Sequence, residues 1–498
     1  MTRATRLAVL MSILAVAVRL IGINQPYIDN WSWRQGDVAA IARNYFQGGF
    51  HFARPQIDWA GDQPGYVGTE FPVLPFLAAI CYKIVGVHEW VGRVQAVILF
   101  ALSLPFFFLL VRKIFGEIAA ICALFFYSFA PLGIMAGRCF MPDMPSLALS
   151  IIGLYFFDRW MESEPDGRIR STSFFASAIC ISLSILIKLP SVLIGAPIAC
   201  LAFQGFRFSA FRRFSLWLFG AIALVPSAWW YAHANQISRQ FYPHHFFGAG
   251  GVRIENLSWY AHIAARIAIG SLTPALTMFG IFGVISARST SRARILYAWL
   301  GAMVLFIIIV GYGNRHQWYQ LPLVPIAGAF AGDFCTRVMA MRMFARASSM
   351  AALLMRAGFS LVAISFAAFS FVESQILYQA SAANLRAAGL ELKRSTPNES
   401  LIVAADNGDP TVLYYAERKG WHFLEKNGIY DGEPKDSVQA IVDLEELRNR
   451  GAGYLVFTSN TSWWVDYYAQ FRQHLEATSS LVSATPEFKI YQLSPVSK

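Results

Sequence analysis

Apolar runs long enough to cross about 30 Å of hydrocarbon recur from Leu7 to about Phe371, and beyond that point they stop. That pattern specifies a polytopic α-helical membrane part, predicted over 1–373, followed by a small polar tail, 374–498. The formal charge of +11 does not argue for nucleic acid, because the basic residues fall in short loops between apolar runs rather than on one soluble face. Clusters at Arg3/Arg6, Arg112/Lys113, Arg159 to Arg170, Arg207 to Arg213, Arg288 to Arg294 and Arg337 to Arg356 mark the cytoplasmic side by the positive-inside rule. The six cysteines show no CxxC spacing, and none lies in the tail, so neither a disulfide framework nor a zinc site is expected.

A first retained helix (about 7–23) exits the cytoplasm, and Arg112 must lie back inside. An odd number of crossings is therefore needed. The segment 92–111 supplies one span, and Phe71 to Gly86, short and with two prolines near its start, reads as an interfacial or re-entrant helix. Further spans are predicted near 117–136, 144–158, 173–188, 190–206, 214–232, 266–286, 294–311, 320–335 and 354–373, about eleven in all. This topology puts the long first loop (24–91), the loop 137–145, the segments 233–262 and 311–321, and the tail outside. The tail reads as a small α/β domain, with strands at 401–405, 454–459 and 488–493 and helices near 409–419, 436–450 and 463–478. "ADNGDP" closes the first strand, at the edge where α/β sheets often bind ligands, although a plain strand-to-helix turn also explains it.

In "WRQGDVAAIARNYFQGG" the residues Arg34, Asp37, Ile41 and Asn44 follow the three-and-four spacing of one helical stripe, beside an apolar stripe that suits a helix lying on the membrane. The stripe is either a surface ion pair of Arg34 with Asp37 or part of a site. Asp143, in "FMPDMPS", is either a helix-start acid or a functional one, with Arg138 five residues before it. Glu70 precedes the interfacial helix and fits an N-terminal role there almost equally well. Lys188 in "LIKLP" can snorkel. An aromatic belt explains Trp318 and Tyr319 better than it explains Arg315 and His316, while Gln317 and Gln320 complete that polar mouth. His244 and His245 lack further ligand spacing, and the neighbouring glycines neither follow a strand nor open a helix.

The ordered set "WRQGDVAAIARNYFQGG", "GYVGTEFPVLPFL", "VGR" before a span ending in "RKIFG", "RCFMPDMP" and "HQWYQLPLVP" resembles the polytopic glycosyltransferases of the GT-C fold. The likeness is to the family 39-like bacterial relatives of dolichyl-phosphate-mannose protein mannosyltransferases and of the lipid A aminoarabinose transferase. The resemblance implies transfer of a sugar, with inversion, from a polyprenyl-phosphate carrier to a lipid, glycan or protein acceptor on the outer face of the plasma membrane. It implies that Asp37 is the first-loop acid that activates the acceptor, that Asp143 is the acid of the second external loop, and that Glu70 is the acid before the interfacial helix. Two positions depart from the family pattern. Val38 stands where a second acid is common, which weakens a metal role, and Phe71 stands where the aminoarabinose branch has lysine. Phosphate contacts then fall to Arg138, Lys188, Arg315 or His316, with Arg34, Asn44, Tyr319 and Gln320 as further binding residues. No cofactor is expected, and a divalent metal is not favoured. The alternative class is a lipid-linked sugar flippase, which the one-sided placement of the polar groups disfavours.

Overall fold

The computed structural model describes residues 3–163, 172–246, 252–287, 292–340, 350–426 and 429–495. Parts of the basic clusters at Arg159 to Arg170, Arg288 to Arg294 and Arg337 to Arg356, and the glycines of 248–251, lie outside the described residues. The chain forms two compact units: Met1–Ile23, Arg93–Trp230 and Gly248–Gln375 make one, and Asn24–Gly92, Tyr231–Phe247 and Ile376–Lys498 make the other. The first loop thus groups with the tail, which in this division begins at 376.

The first unit is helical, and the protein is a multi-pass membrane protein. Among the described residues six helices are long and apolar enough to span, or seven if one bent pair counts as a single span. Several segments expected to span are helices that are shorter or carry more charge, such as Thr172–Ile187 and Asp143–Ser163. The region expected as one span at 266–286 is instead broken: Leu257–Ser271 and Pro274–Ser286 meet at 109°. Thr273 takes φ 79° at the break, and its hydroxyl caps the second helix at the Leu276 N–H. A proline in the next position cannot continue the hydrogen-bond ladder, so the chain turns there.

Small residues let these helices approach. A Cβ on Gly332 would come within 2.3 Å of the Ala119 carbonyl, so Leu323–Ala340 and Glu117–Phe129 pack backbone to backbone. The latter helix ends at Ala130, before Pro131, which leaves its last carbonyls without helical partners. Arg19, wholly buried, supplies one: it donates to the carbonyls of Ser128 and Gly133 and stacks 3.4 Å over the Phe100 ring.

In the second unit the three expected tail strands are present as β1 (Leu401–Ala405), β3 (Ala452–Thr458) and β5 (Phe488–Leu493), and two that were not expected join them, β2 (Gly420–His422) and β4 (Ser479–Ala484). The sheet order is β2-β1-β3-β5-β4, with β1 parallel to β2 and β3, and β5 antiparallel to both its neighbours. Expected helices occur at Thr411–Ala416 and Ser437–Asn449, while 463–478 divides into Trp463–Tyr467 and Ala469–Thr478. The first loop joins the sheet: the Gly61 N–H donates to the Gly420 carbonyl, and the Gly420 N–H to the Asp58 carbonyl. Gly61, at φ 59°, lies flat against the Trp421 ring, where any Cβ would collide.

The first-loop helix, Ser32–Gly48, does not lie on a surface. Every residue from Arg34 to Tyr45 is buried, and Ile41 and Tyr45 share a core with Trp59, Leu385, Ile402 and Val412. Its polar side chains are matched by partners from the loop and the tail, so the expected amphipathic membrane contact is replaced by internal pairing. Asp58 is the centre of that pairing. It takes Arg43 at 2.5 Å, Asn44 at 3.0 Å and Lys419 at 2.8 Å. The two cations hold its carboxyl below the ordinary range although burial alone would raise it.

Removing one partner from a buried ion group leaves uncompensated charge. Asp58→Ala should therefore lower stability by roughly 3 kcal/mol, seen as a reduced thermal midpoint of the detergent-purified protein.

Candidate active site

Asp37 lies in the middle of the buried first-loop helix, 3% exposed, and its Oδ1 accepts a hydrogen bond from the Trp59 indole at 3.0 Å. Burial pushes its carboxyl up to about 6, against the Trp59 bond and the nearby positive charge of Arg34 and His422, while Asp409 adds to the rise. Arg34 pairs with Glu70 at 2.7 Å, so the expected local Arg34 and Asp37 surface pair gives way to a buried, long-range one. Glu70 also accepts from the Thr69 hydroxyl, and it does not take the expected N-terminal role at the helix Val73–Val85, which is entered through Pro72 without a side-chain cap. Glu70 therefore acts as the partner of Arg34.

Three groups around Asp37 come from elsewhere in the second unit. The His422 ring lies 5.3 Å from that of Trp59, and its Nδ1 is 2.8 Å from Asp406 Oδ1. Burial opposes the charged form of His422, but the Asp406 carboxylate outweighs it and leaves the imidazole above its ordinary range. The His245 ring lies 5.5 Å from that of Trp59. Burial and then Arg34 push it down to about 4, so at neutral pH it is an uncharged ring. Asp409 accepts from Ser32 in the first turn of the same helix. Asn44, on the predicted stripe, is two turns further on and belongs to the Asp58 cluster instead.

The first unit holds the other acid. Asp143 opens the helix Asp143–Ser163, where its charge suits the dipole, and it also pairs with Lys188 at 3.5 Å. Lys188 is 4% exposed, and its ammonium lies 4.9 Å from the centre of the Tyr319 ring. Both charges line a cavity whose other walls include Leu147, Ile194, Trp299, Phe306 and Trp318. Ser146 and Ser150 bond to Ser184 across the helix pair beside it, which fixes the position from which Lys188 projects. Gln320 is buried and donates to the Asn314 carbonyl. His316 stacks on Trp318 at 4.6 Å, and the exposed Arg315 stacks on Tyr312 at 4.2 Å. Arg138, buried, donates to the Gly22 carbonyl.

A family model described as dolichyl-phosphate-mannose-protein mannosyltransferase matches residues 62–231. No curated protein matches the chain by sequence. Solved structures match along its whole length. The chain is similar to ArnT from Cupriavidus metallidurans bound to undecaprenyl phosphate, with 14% identity over 97% of each chain and a TM-score of 0.68. It is similar to the apo form of that protein, with 16% identity over 98% of each chain and a TM-score of 0.69. A third match is the oligosaccharyltransferase AglB from Archaeoglobus fulgidus in complex with an inhibitory peptide and a dolichol-phosphate, at 13% identity, 99% of this chain, 74% of that chain and a TM-score of 0.63. The chain has the GT-C fold.

Within that fold the motif reading covers only part of the cluster around Asp37. The family match contains Glu70, Arg138, Asp143 and Lys188, while Asp37 and the 315–320 segment lie beyond it. His422 and Trp59 carried no recognised signal. His245 was visible only as one of two adjacent histidines. Asp406 and Asp409 lie in "ADNGDP", where the turn at the end of a parallel strand was the available signal.

The Trp59 hydrogen bond stabilises the charged carboxylate. Trp59→Phe should therefore move the Asp37 titration above its value of about 6, which infrared titration of the carboxyl band, with Asp37→Asn as the assignment control, would read directly.

Proposed function

We propose that the chain is an integral-membrane glycosyltransferase that moves a hexosyl or pentosyl unit from a polyprenyl-phosphate donor to an acceptor on the outer face of the plasma membrane. The observation that carries this reading is Asp37: a buried carboxyl, oriented by one indole N–H and pushed up to about 6. A base with that value is ionised at neutral pH and still strong enough to take a proton from a hydroxyl in the transition state. Support for the donor comes from the relatives in fold, of which one is described with undecaprenyl phosphate and another with a dolichol-phosphate.

In this reading an acceptor hydroxyl oxygen attacks the anomeric carbon from the side opposite the phosphate, and its proton passes to the Asp37 carboxylate. The bond from the anomeric carbon to the phosphate oxygen breaks, and the electron pair leaves with polyprenyl phosphate, which inverts the anomeric configuration. Within the first unit, Lys188, fixed by Asp143, is the candidate contact for the phosphate of a polyprenyl-phosphate. The apolar and aromatic walls beside Lys188 suit an isoprenoid chain. Arg34 and Glu70 hold one another and set the field felt by Asp37. Arg138, Arg315, His316, Tyr319 and Gln320 remain supporting candidates for donor binding. No step of this transfer uses a divalent metal, so EDTA-treated protein should turn over as fast as untreated protein in a radiolabelled-donor assay.

Asp37→Asn should reduce transfer by at least a thousandfold while donor binding persists. In the wild type kcat/KM should fall tenfold per pH unit below about 6, as the base becomes protonated, and level off above it. Full turnover by Asp37→Asn would remove the assignment, and donor binding without turnover in the wild type would favour a flippase. Lys188→Ala should weaken donor binding about tenfold or more, measured by competition with polyprenyl phosphate.

A further inference from the structure

A second cavity, of about 360 Å³, opens in the second unit at the carboxyl ends of β1 and β3, the edge at which α/β sheets bind ligands. It is lined by Asp29, Ser32, Trp33, Asp406, Asp409 and Asn460, among others, and among the described residues lining it there is no lysine or arginine. Asp406 is 2% exposed. Its Oδ1 is engaged by His422 and by the Gly408 N–H, but its Oδ2 is buried and accepts no hydrogen bond from the described residues. Among the described residues that oxygen is therefore open to a further hydrogen bond, which a ligand hydroxyl can supply.

The chemistry of the walls narrows that donor. Carboxylates and amides beside the half-buried indole of Trp33 match a polyhydroxylated ring, whose hydroxyls donate and whose apolar face stacks. No lysine or arginine among the described lining residues offsets the three carboxylates toward a phosphate, and the neighbouring His422 is already taken up by Asp406. The position narrows it further. Trp33 and Asp37 are four positions apart on one helix, so they share a face about one turn apart. Ser32 and Asp409 tie the first turn of that helix to the cavity wall.

We propose that this cavity holds the sugar acceptor: a neutral or amine-bearing saccharide without phosphate in the part bound here, stacked on Trp33 with a hydroxyl on Asp406 and another presented toward Asp37. This rests on the reading of Asp37 as the base, but binding is separable from transfer. Full-length protein in lipid nanodiscs would be titrated with tetraglucosamine, chitotetraose, maltotetraose and 6-phosphorylated chitotetraose, by calorimetry and indole fluorescence.

The expected result is saturable binding of at least one unphosphorylated tetrasaccharide, with the phosphorylated one at least tenfold weaker than its parent. Trp33→Ala should weaken binding about tenfold, and Asn460→Ala, at an exposed position, several-fold. No binding of any tetrasaccharide, equal binding of the phosphorylated one, or binding indifferent to both cavity variants overturns the proposal. Normal binding together with undiminished transfer by Asp37→Asn would overturn the base and leave the saccharide cavity standing.

Discussion

The arrangement of the second unit depends on one buried carboxylate. Asp58 gathers Arg43 and Asn44 from the first-loop helix and Lys419 from the segment entering β2. These groups could not be buried singly without a large desolvation cost, so the loop, the helix and the sheet edge become ordered together. Once the helix is held there, its other polar residues are buried as well. The raised carboxyl of Asp37 follows from that enclosure, since burial is the largest influence on it.

Much of the fold was legible because its signals are periodic. Apolar length marked the membrane segments, and alternating or continuous β-rich runs marked Leu401–Ala405, Ala452–Thr458 and Phe488–Leu493. The break at Thr273 was not legible, because hydropathy is blind to a turn between two apolar stretches. The burial of the first-loop helix was also hidden. Its stripe of charges looks the same whether water or a distant residue satisfies it, and the residues that do so, Glu70, Asp58 and Lys419, lie up to hundreds of positions away.

The candidate site shows the same division. Asp37 and Asp143 stood out as acids in otherwise apolar or interfacial surroundings, and Lys188 as a cation at the end of an apolar run. Sequence spacing suggested Arg34 for Asp37, three residues away, but the tertiary partner Glu70 takes the guanidinium and Trp59 takes the carboxylate. No local pattern connects His422 with a helix 385 positions earlier. In the membrane unit the serines that brace the helix ending just before Lys188 read as ordinary small residues, since hydrogen bonding between helices leaves little trace in hydropathy.

The backbone bonds between Gly61, Gly420 and Asp58 make the first loop an added edge of the tail's sheet. A freestanding tail would present β2 with open N–H and C=O groups and an uncovered Trp421, which is the kind of edge that recruits foreign strands. The tail is therefore not an interchangeable appendage. Any exchange of tails between relatives would have to carry a matching first loop with it, so the two segments are under joint constraint even though more than three hundred residues separate them in the chain.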